Sequence, residues 1–291
     1  MSSPEIQWYP GHIAKAEKAL MDQLRRVDVV LEVRDARIPL STQHPRVEEW
    51  VGDKGRVLIL NRVDMISSEA RAAWETWFRQ QGEQPVFTNA QKGKGVKAIA
   101  KVAQAAGETV NQRRQARGMK PRPIRAVVIG FPNVGKSALI NRLLNRKVAA
   151  SARRAGVTRQ LRWIRMAGEL DLLDAPGVIP SRLEDQAAAL KLAICDDIGE
   201  AAYDTQRIAA GFIDLIKLLQ AHCPAEAHHQ VLQARYALDL AQYTGEEFVA
   251  ELADRKFQAD LERSARRILN DFRTGLLGAW VLEWPEEVGE E

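Results

Sequence analysis

The sequence predicts an α/β domain, a mostly parallel sheet with helices on both faces, followed by an all-α domain. Three observations carry this. Short apolar runs alternate with amphipathic helical stretches through the first half of the chain, the pattern of strand–helix–strand units. One such run leads straight into a glycine-rich loop and another helical stretch. From about residue 184 to 270 strand patterning stops and helical periodicity continues. Residues 1–182 are therefore read as the sheet domain and residues 183–291 as the helical one, with the boundary near 180–185.

The elements follow in order. Residues 27–33 (VDVVLEV) and 56–60 (RVLIL) are apolar enough to be buried strands. Helical patterns lie at 45–51 and 67–80, the second opened by paired serines with Glu69 close behind, a capping signature. Residues 85–88 (PVFT) form a short strand, 95–114 a helix, and 113–123 a basic linker broken by Gly118, Pro121 and Pro123. Strands are expected at 124–129, 161–166 and 170–173, with a turn at Gly168. The helical half includes stretches at 186–193, 206–219, 227–240 and 261–272, and the residues from Glu283 onward read as an acidic tail. Trp74, Trp77 and Phe78 sit at helical spacing as a packed face, and Trp280 and Trp284 are expected to close the helical core.

Composition narrows the function classes. Of 291 residues, 46% are apolar, too many for a disordered chain. No stretch approaches the ~20 uncharged apolar residues of a membrane span, and the N-terminus lacks a signal-peptide pattern. Cys195 and Cys223 do not make a disulfide framework, and with His222, His228 and His229 they match no common zinc spacing. A monomeric, cytoplasmic protein is expected. The net charge of +4 is unevenly spread: residues 109–168 contain no Asp or Glu and carry 15 Lys or Arg. Such segregation points to a polyanionic partner, or to a basic face turned toward an acidic neighbouring domain. Arg255, Lys256, Arg263, Arg266, Arg267 and Arg273 offer a second basic face on the last helices, unless Arg263 and Arg267 pair with Glu262 and Asp271.

Residues Gly130-Phe131-Pro132-Asn133-Val134-Gly135-Lys136-Ser137 fit G-x-x-x-x-G-K-S/T, with a strand before and a helix after. Backbone N–H groups of such a loop, from Val134 and Gly135 to Ala138, cradle phosphate oxygens. Lys136 reaches the β- and γ-phosphates, and Ser137 ligates Mg²⁺. Asp174-Ala175-Pro176-Gly177 closes the strand at 170–173 and supplies a second carboxylate for the metal, with Gly177 N–H toward the γ-phosphate. Between these boxes Thr158, ahead of Ser151, is the candidate third group at metal and γ-phosphate. Loss of the γ-phosphate releases such a segment, which makes a nucleotide switch.

The base is chosen elsewhere. Asn61-Arg62-Val63-Asp64 follows the strand at 56–60, and a carboxylate at Asp64 accepts both N1–H and N2–H of guanine, donors that adenine lacks there. Backbone N–H groups of Thr88-Asn89-Ala90 are expected at guanine O6.

N-R-V-D resembles the guanine box N-K-x-D of GTPases, with Arg62 in place of Lys. The order is inverted, because the purine boxes precede the phosphate loop. The chain is thereby identified as similar to the circularly permuted YlqF/RbgA family of ribosome-assembly GTPases. Trp8-Tyr9-Pro10-Gly11-His12-Ile13-Ala14-Lys15-Ala16, Val33-Arg34-Asp35-Ala36-Arg37-Ile38-Pro39 and Phe272-Arg273-Thr274-Gly275-Leu276-Leu277-Gly278 resemble three further family signatures, so the likeness runs from about residue 7 to 284. It implies a circularly permuted P-loop GTPase domain, binding of GTP/GDP with Mg²⁺, and action on the precursor of the large ribosomal subunit and its rRNA, with neither membrane nor DNA as partner. It also implies His12 near the γ-phosphate. Val178 and Ile179 stand where many GTPases carry a water-orienting Gln, so intrinsic hydrolysis should be slow. Asn133 resembles the P-loop asparagine of potassium-activated GTPases, which implies a K⁺ site. The rival reading is a GTP-dependent RNA-binding scaffold with incidental hydrolysis.

Overall fold

The structure is a computed structural model, described here for residues 20–145, 162–165, 170–174, 185–219 and 225–285. His12, Ser151, Thr158, Gly177, Val178 and Ile179 lie outside the described residues.

Six strands form one sheet in the order β3-β2-β1-β4-β6-β5: β1 Val29–Asp35, β2 Gly55–Asn61, β3 Val86–Thr88, β4 Ile124–Ile129, β5 Arg162–Arg165 and β6 Leu170–Asp174. All neighbours pair in parallel except β5, which runs antiparallel to β6 at the edge. Every residue of β1 is buried, as a central strand covered on both faces requires. Val29, Leu31, Val33, Val57, Ile59, Ala126 and Val128 share one core. The alternate positions Val30, Val127, Ile129 and Leu173 pack with Leu20, Leu24 and Trp50 on the other face. There Leu58 and Leu60 meet Trp74 and Phe78 in a third cluster.

Among the described residues, helices that accompany the strands include α1 Val47–Val51, α2 Ser68–Gln80, α3 Val96–Ala116 and α4 Lys136–Leu143. The serine cap read from sequence is present, with Ser67 Oγ accepting from Ala70 N–H at 3.1 Å. Five helices follow: α5 Gln186–Ile194, α6 Thr205–Leu218, α7 Ala225–Tyr236, α8 Gly245–Lys256 and α9 Leu261–Arg273. Asp185, Asp204 and Asp260 cap α5, α6 and α9, and Thr244 with Glu247 forms a capping box on α8. Helix α6 packs against both α8 and α9, with Phe212 and Phe272 rings 4.9 Å apart. No helix among the described residues is long and apolar enough to cross a membrane.

The apolar core is continuous between sheet and helices: Val33 and Ile59 belong to the same cluster as Ile194, Phe212 and Phe272. Two readings of the C-terminus change accordingly. Glu283, expected in a solvated tail, is buried and accepts from the N–H groups of Leu40 (2.8 Å) and Ser41 (3.1 Å). Two orphan donors of the sheet region recruit it. Trp284, expected within the helical core, also packs on the cluster around Trp74 and Leu60. Trp280 does sit in the helical core, beside Phe212 and His228.

Candidate active site

Strand register brings the site together. Asp35 pairs with Asn61 across β1 and β2, and Asn61 with Thr88 across β2 and β3, so three carboxyl-terminal strand ends lie side by side. Crossovers from β1 and β4 depart in opposite directions, toward β2 and β6, which makes their carboxyl ends a topological switch point. The segment 130–137 leaves β4 at that crevice and enters α4 directly.

The loop backbone is formed for close contact. Gly130 has φ 146°, and a Cβ there would meet the Val33 carbonyl oxygen at 2.2 Å. At Gly135, with φ 103°, a Cβ would stand 2.2 Å from Asn61 Nδ2. Glycine is required at both. Lys136 is buried, its Nζ donating to the carbonyls of Gly130 (3.1 Å) and Phe131 (2.6 Å). An ammonium folded into its own loop, on a short lead from the helix start, is placed to exchange carbonyls for phosphate oxygens. Ser137 and Ala138 follow in the first turn of α4, both half-buried. Asp174 ends β6, its backbone in register with Val128 of the adjacent β4. The phosphate-loop residues thus fit a nucleoside triphosphate, and the Ser137 hydroxyl in the first turn of α4 is a group that could hold a metal beside it.

Asn61 is the joint of the site. Its Nδ2 donates to the Val134 carbonyl at 2.8 Å, while its Oδ1 accepts from Thr88 Oγ1 (3.1 Å) and Ala90 N–H (3.0 Å). One buried amide therefore binds the phosphate loop to the segment after β3. This amends two sequence readings. Asn61 spends much of its amide on protein rather than on a base. The backbone donors expected at guanine O6 also have partners: Ala90 N–H goes to Asn61 and Asn89 N–H to the Lys94 carbonyl at 3.0 Å. Asp64, by contrast, is exposed in a single 3₁₀ turn, Val63–Met65, beyond Asn61.

Arg62 is fixed by the groups around it. It adopts left-handed φ 64° and its Nη2 donates to the Asn133 carbonyl at 2.6 Å. Its Nη1 lies 3.3 Å from Asp35 Oδ2, and its Nη2 3.8 Å from Asp197 Oδ1. Asn133, also left-handed at φ 58°, turns its Nδ2 to the Asp196 carbonyl at 2.6 Å. Asp196 is left-handed as well, φ 64°. Three non-glycine residues in this costly conformation meet where purine segment, phosphate loop and helical region join.

Beneath them lies a buried polar group that sequence reasoning left without a role. Arg37, fully buried, donates to Asp35 Oδ1 (3.0 Å), Asp35 Oδ2 (2.7 Å) and the Cys195 carbonyl (3.1 Å), and covers the Phe272 ring at 5.2 Å. Burial alone would raise the Asp35 carboxyl, but Arg37 and Arg62 outweigh it and hold it below the usual carboxylate range. Asp197 is fully buried and neither carboxylate oxygen has a hydrogen-bond donor. Burial, with Asp35 adding to it, pushes the Asp197 carboxyl well above the usual range. The signal available in sequence was the Asp35-Ala36-Arg37 stretch itself; Asp197 gave none.

Known proteins match along this whole arrangement. A family model described as a 50S ribosome-binding GTPase matches residues 125–229. Ribosome biogenesis GTPase A of Bacillus cereus is 35% identical, covering 98% of this chain and 96% of its own. The chain belongs to the ribosome biogenesis GTPase A family. The Priestia megaterium member is 34% identical over 97% of this chain and 98% of its own, and the mouse mitochondrial ribosome-associated GTPase 1 is 30% identical over 95% and 90%. In fold the chain is similar to GNP-bound YlqF from T. maritima, with TM-score 0.63, 23% identity and coverage of 94% and 99%. As a member of this family the chain is a GTPase of ribosome biogenesis, and its sheet has the circularly permuted order read from the sequence.

Proposed function

We propose that this GTPase binds the precursor of the large ribosomal subunit through its rRNA in a nucleotide-dependent way, and hydrolyses GTP to GDP and phosphate there. The ribosomal part of the reading rests on the family, and the observation that carries its nucleotide part is the Asn61 amide. It ties the segment after β3 to the phosphate loop, so Asp64 and Lys136 serve one guanine nucleotide although the intervening chain is long.

In this reading Asp64 accepts the guanine N1–H and N2–H, Thr88, Asn89 and Ala90 shape the pocket wall, and Lys136 meets the β- and γ-phosphates. Ser137, Thr158 and Asp174 hold Mg²⁺, which neutralises charge developing on the phosphate oxygens. Gly177 senses the γ-phosphate. His12 orients the attacking water in place of the missing Gln, and hydrolysis is slow until the ribosome assists. Asn133, its amide nitrogen anchored by Asp196, offers Oδ1 to K⁺. Residues 1–182 and 183–291 act as a monomer of two domains in the cytoplasm. The joint of Asn61, Arg62, Asn133 and Asp196 supports nucleotide-dependent binding, because it links the phosphate loop directly to the helical region; a GTP-dependent RNA-binding scaffold with incidental hydrolysis would differ from it in turnover on the subunit.

The test is nucleotide preference of Asp64→Asn. Guanine affinity should fall by two orders of magnitude or more and xanthine nucleotides should bind better, since a polar pair mismatched once the base covers it discriminates strongly. Unchanged guanine preference would remove the assignment. The same turnover assay with large subunits, run on His12→Ala and with sodium in place of potassium, reads the water-positioning and K⁺ assignments; undiminished rates would remove each.

A further inference from the structure

Lys92, Lys94, Lys97 and Lys101 are exposed, and none has an ion-pair partner among the described residues. The first two lie in the loop after β3 and the others one turn apart on α3. That loop is held rigidly. Asn89 Oδ1 accepts from Lys92 N–H at 2.8 Å, and Arg142 of α4 donates to the carbonyls of Ala90 and Gln91. Helix α3 opens on Gly95 with no side-chain cap and no acidic residue in its first turn. Cations there face the positive pole of the helix dipole, and like charges at i,i+4 repel. From residue 84 to 168 the one acidic residue is Glu108. No short ion pair among the described residues offsets this accumulation.

The basic face on the last helices differs. Arg266 pairs with Glu262 (2.8 Å), Arg267 with Asp271 (3.1 Å) and Arg255 with Glu251 (2.5 Å). Arg273 donates to the Ala193 (2.8 Å) and Ile194 (2.9 Å) carbonyls, and Arg263 lies over the Phe257 ring rather than on Glu262. Their charges are committed within the protein.

The chemistry of the four lysines selects a partner class. Protein–protein interfaces are depleted in Lys and centre on aromatic or Met anchors. On α3 the large apolar side chain left exposed is Val102, at 38%, and no aromatic accompanies the lysines. Compact cations without an apolar anchor suit phosphate oxygens along a nucleic-acid backbone. We propose that Lys92, Lys94, Lys97 and Lys101 form a ridge that docks the phosphate backbone of RNA. This rests on the rRNA reading above, and it locates the contact on the sheet domain beside the purine-side loop rather than on α9.

The test uses the full chain carrying Lys94→Gln, Lys97→Gln and Lys101→Gln together, beside a control with Arg263→Gln and Arg266→Gln. Binding to purified large subunits and to their extracted rRNA is measured through a potassium chloride titration. The slope of log Kobs against log salt should become shallower by about 2 to 3 in the lysine variant, with little change in the control and basal GTP turnover kept. A slope equal to wild type overturns the ridge while the rRNA reading stands. A slope that changes for subunits but not for extracted rRNA assigns the ridge to a ribosomal protein, and also overturns it. Wild-type protein that binds neither preparation defeats the rRNA reading itself, and the ridge with it. Should the triple variant not fold, Lys97→Gln alone should lower the slope by about 0.7 to 0.9.

Discussion

The buried junction around Arg37 and the lysine ridge at the start of α3 hold their charges in opposite ways. At the junction Asp35, Arg37 and Asp197 are out of water, and geometry decides which charge survives: Asp35 is kept ionised by two guanidinium groups, while Asp197 is driven toward its protonated form. On the ridge four lysines stay in water with no ion-pair partner among the described residues. Charge inside the molecule therefore serves to join purine segment, phosphate loop and helices, and uncompensated charge outside marks where a partner arrives. The lesson is about location: a basic residue points outward to a ligand when the fold has not already used it.

The largest effect should come from breaking the junction. Asp35→Ala leaves Arg37 charged, buried and short of its main partner, and should destabilise the protein by about 3–5 kcal/mol in urea denaturation. A loss below about 1 kcal/mol would mean that Arg37 is held by the Cys195 carbonyl and Phe272 alone.

A smaller effect, of opposite sign, is expected at Asp197. A carboxyl raised in the folded state keeps a proton that the unfolded chain releases. Its contribution is present at acid pH and lost as pH rises from the ordinary range toward the folded value. Asp197→Asn removes this dependence. Its stability in urea should exceed that of wild type, and the gap should widen as pH rises above the ordinary carboxylate range. A gap constant with pH would show Asp197 ionised throughout, balanced by Arg62.

The smallest effect belongs to α9. Arg266→Gln loses an exposed i,i+4 pair with Glu262 and should change stability by less than about 0.5 kcal/mol. A larger loss, disappearing at high salt, would place α9 in an extended network and blur its contrast with the ridge.

Much of this was legible beforehand. The strands at 124–129 and 170–173 and the helix at 186–193 matched the structure to within one residue, because period-2 and period-3.6 apolar patterns survive any tertiary context. The phosphate loop was legible because only glycine tolerates the approaches seen at Gly130 and Gly135. What misled was local composition. Glu283 looked like the start of a solvated tail, yet two N–H donors more than 200 residues away bury it. The α9 arginines admitted two readings, an RNA face or helix-surface pairs, and the structure pairs Arg266 with Glu262 and Arg267 with Asp271.

From residues 61–64 and 130–137, with their order along the chain, the sequence by itself determined a permuted GTPase, since backbone chemistry at a phosphate and a purine edge depends on residue type and spacing. Only the tertiary structure decided that Asn61 is a brace, that Asp197 lies buried without a donor, and that lysines without an ion pair among the described residues gather on the loop after β3 and the start of α3. Those properties depend on which distant groups come within a few ångströms and on how much water remains, and neither is encoded in any single segment.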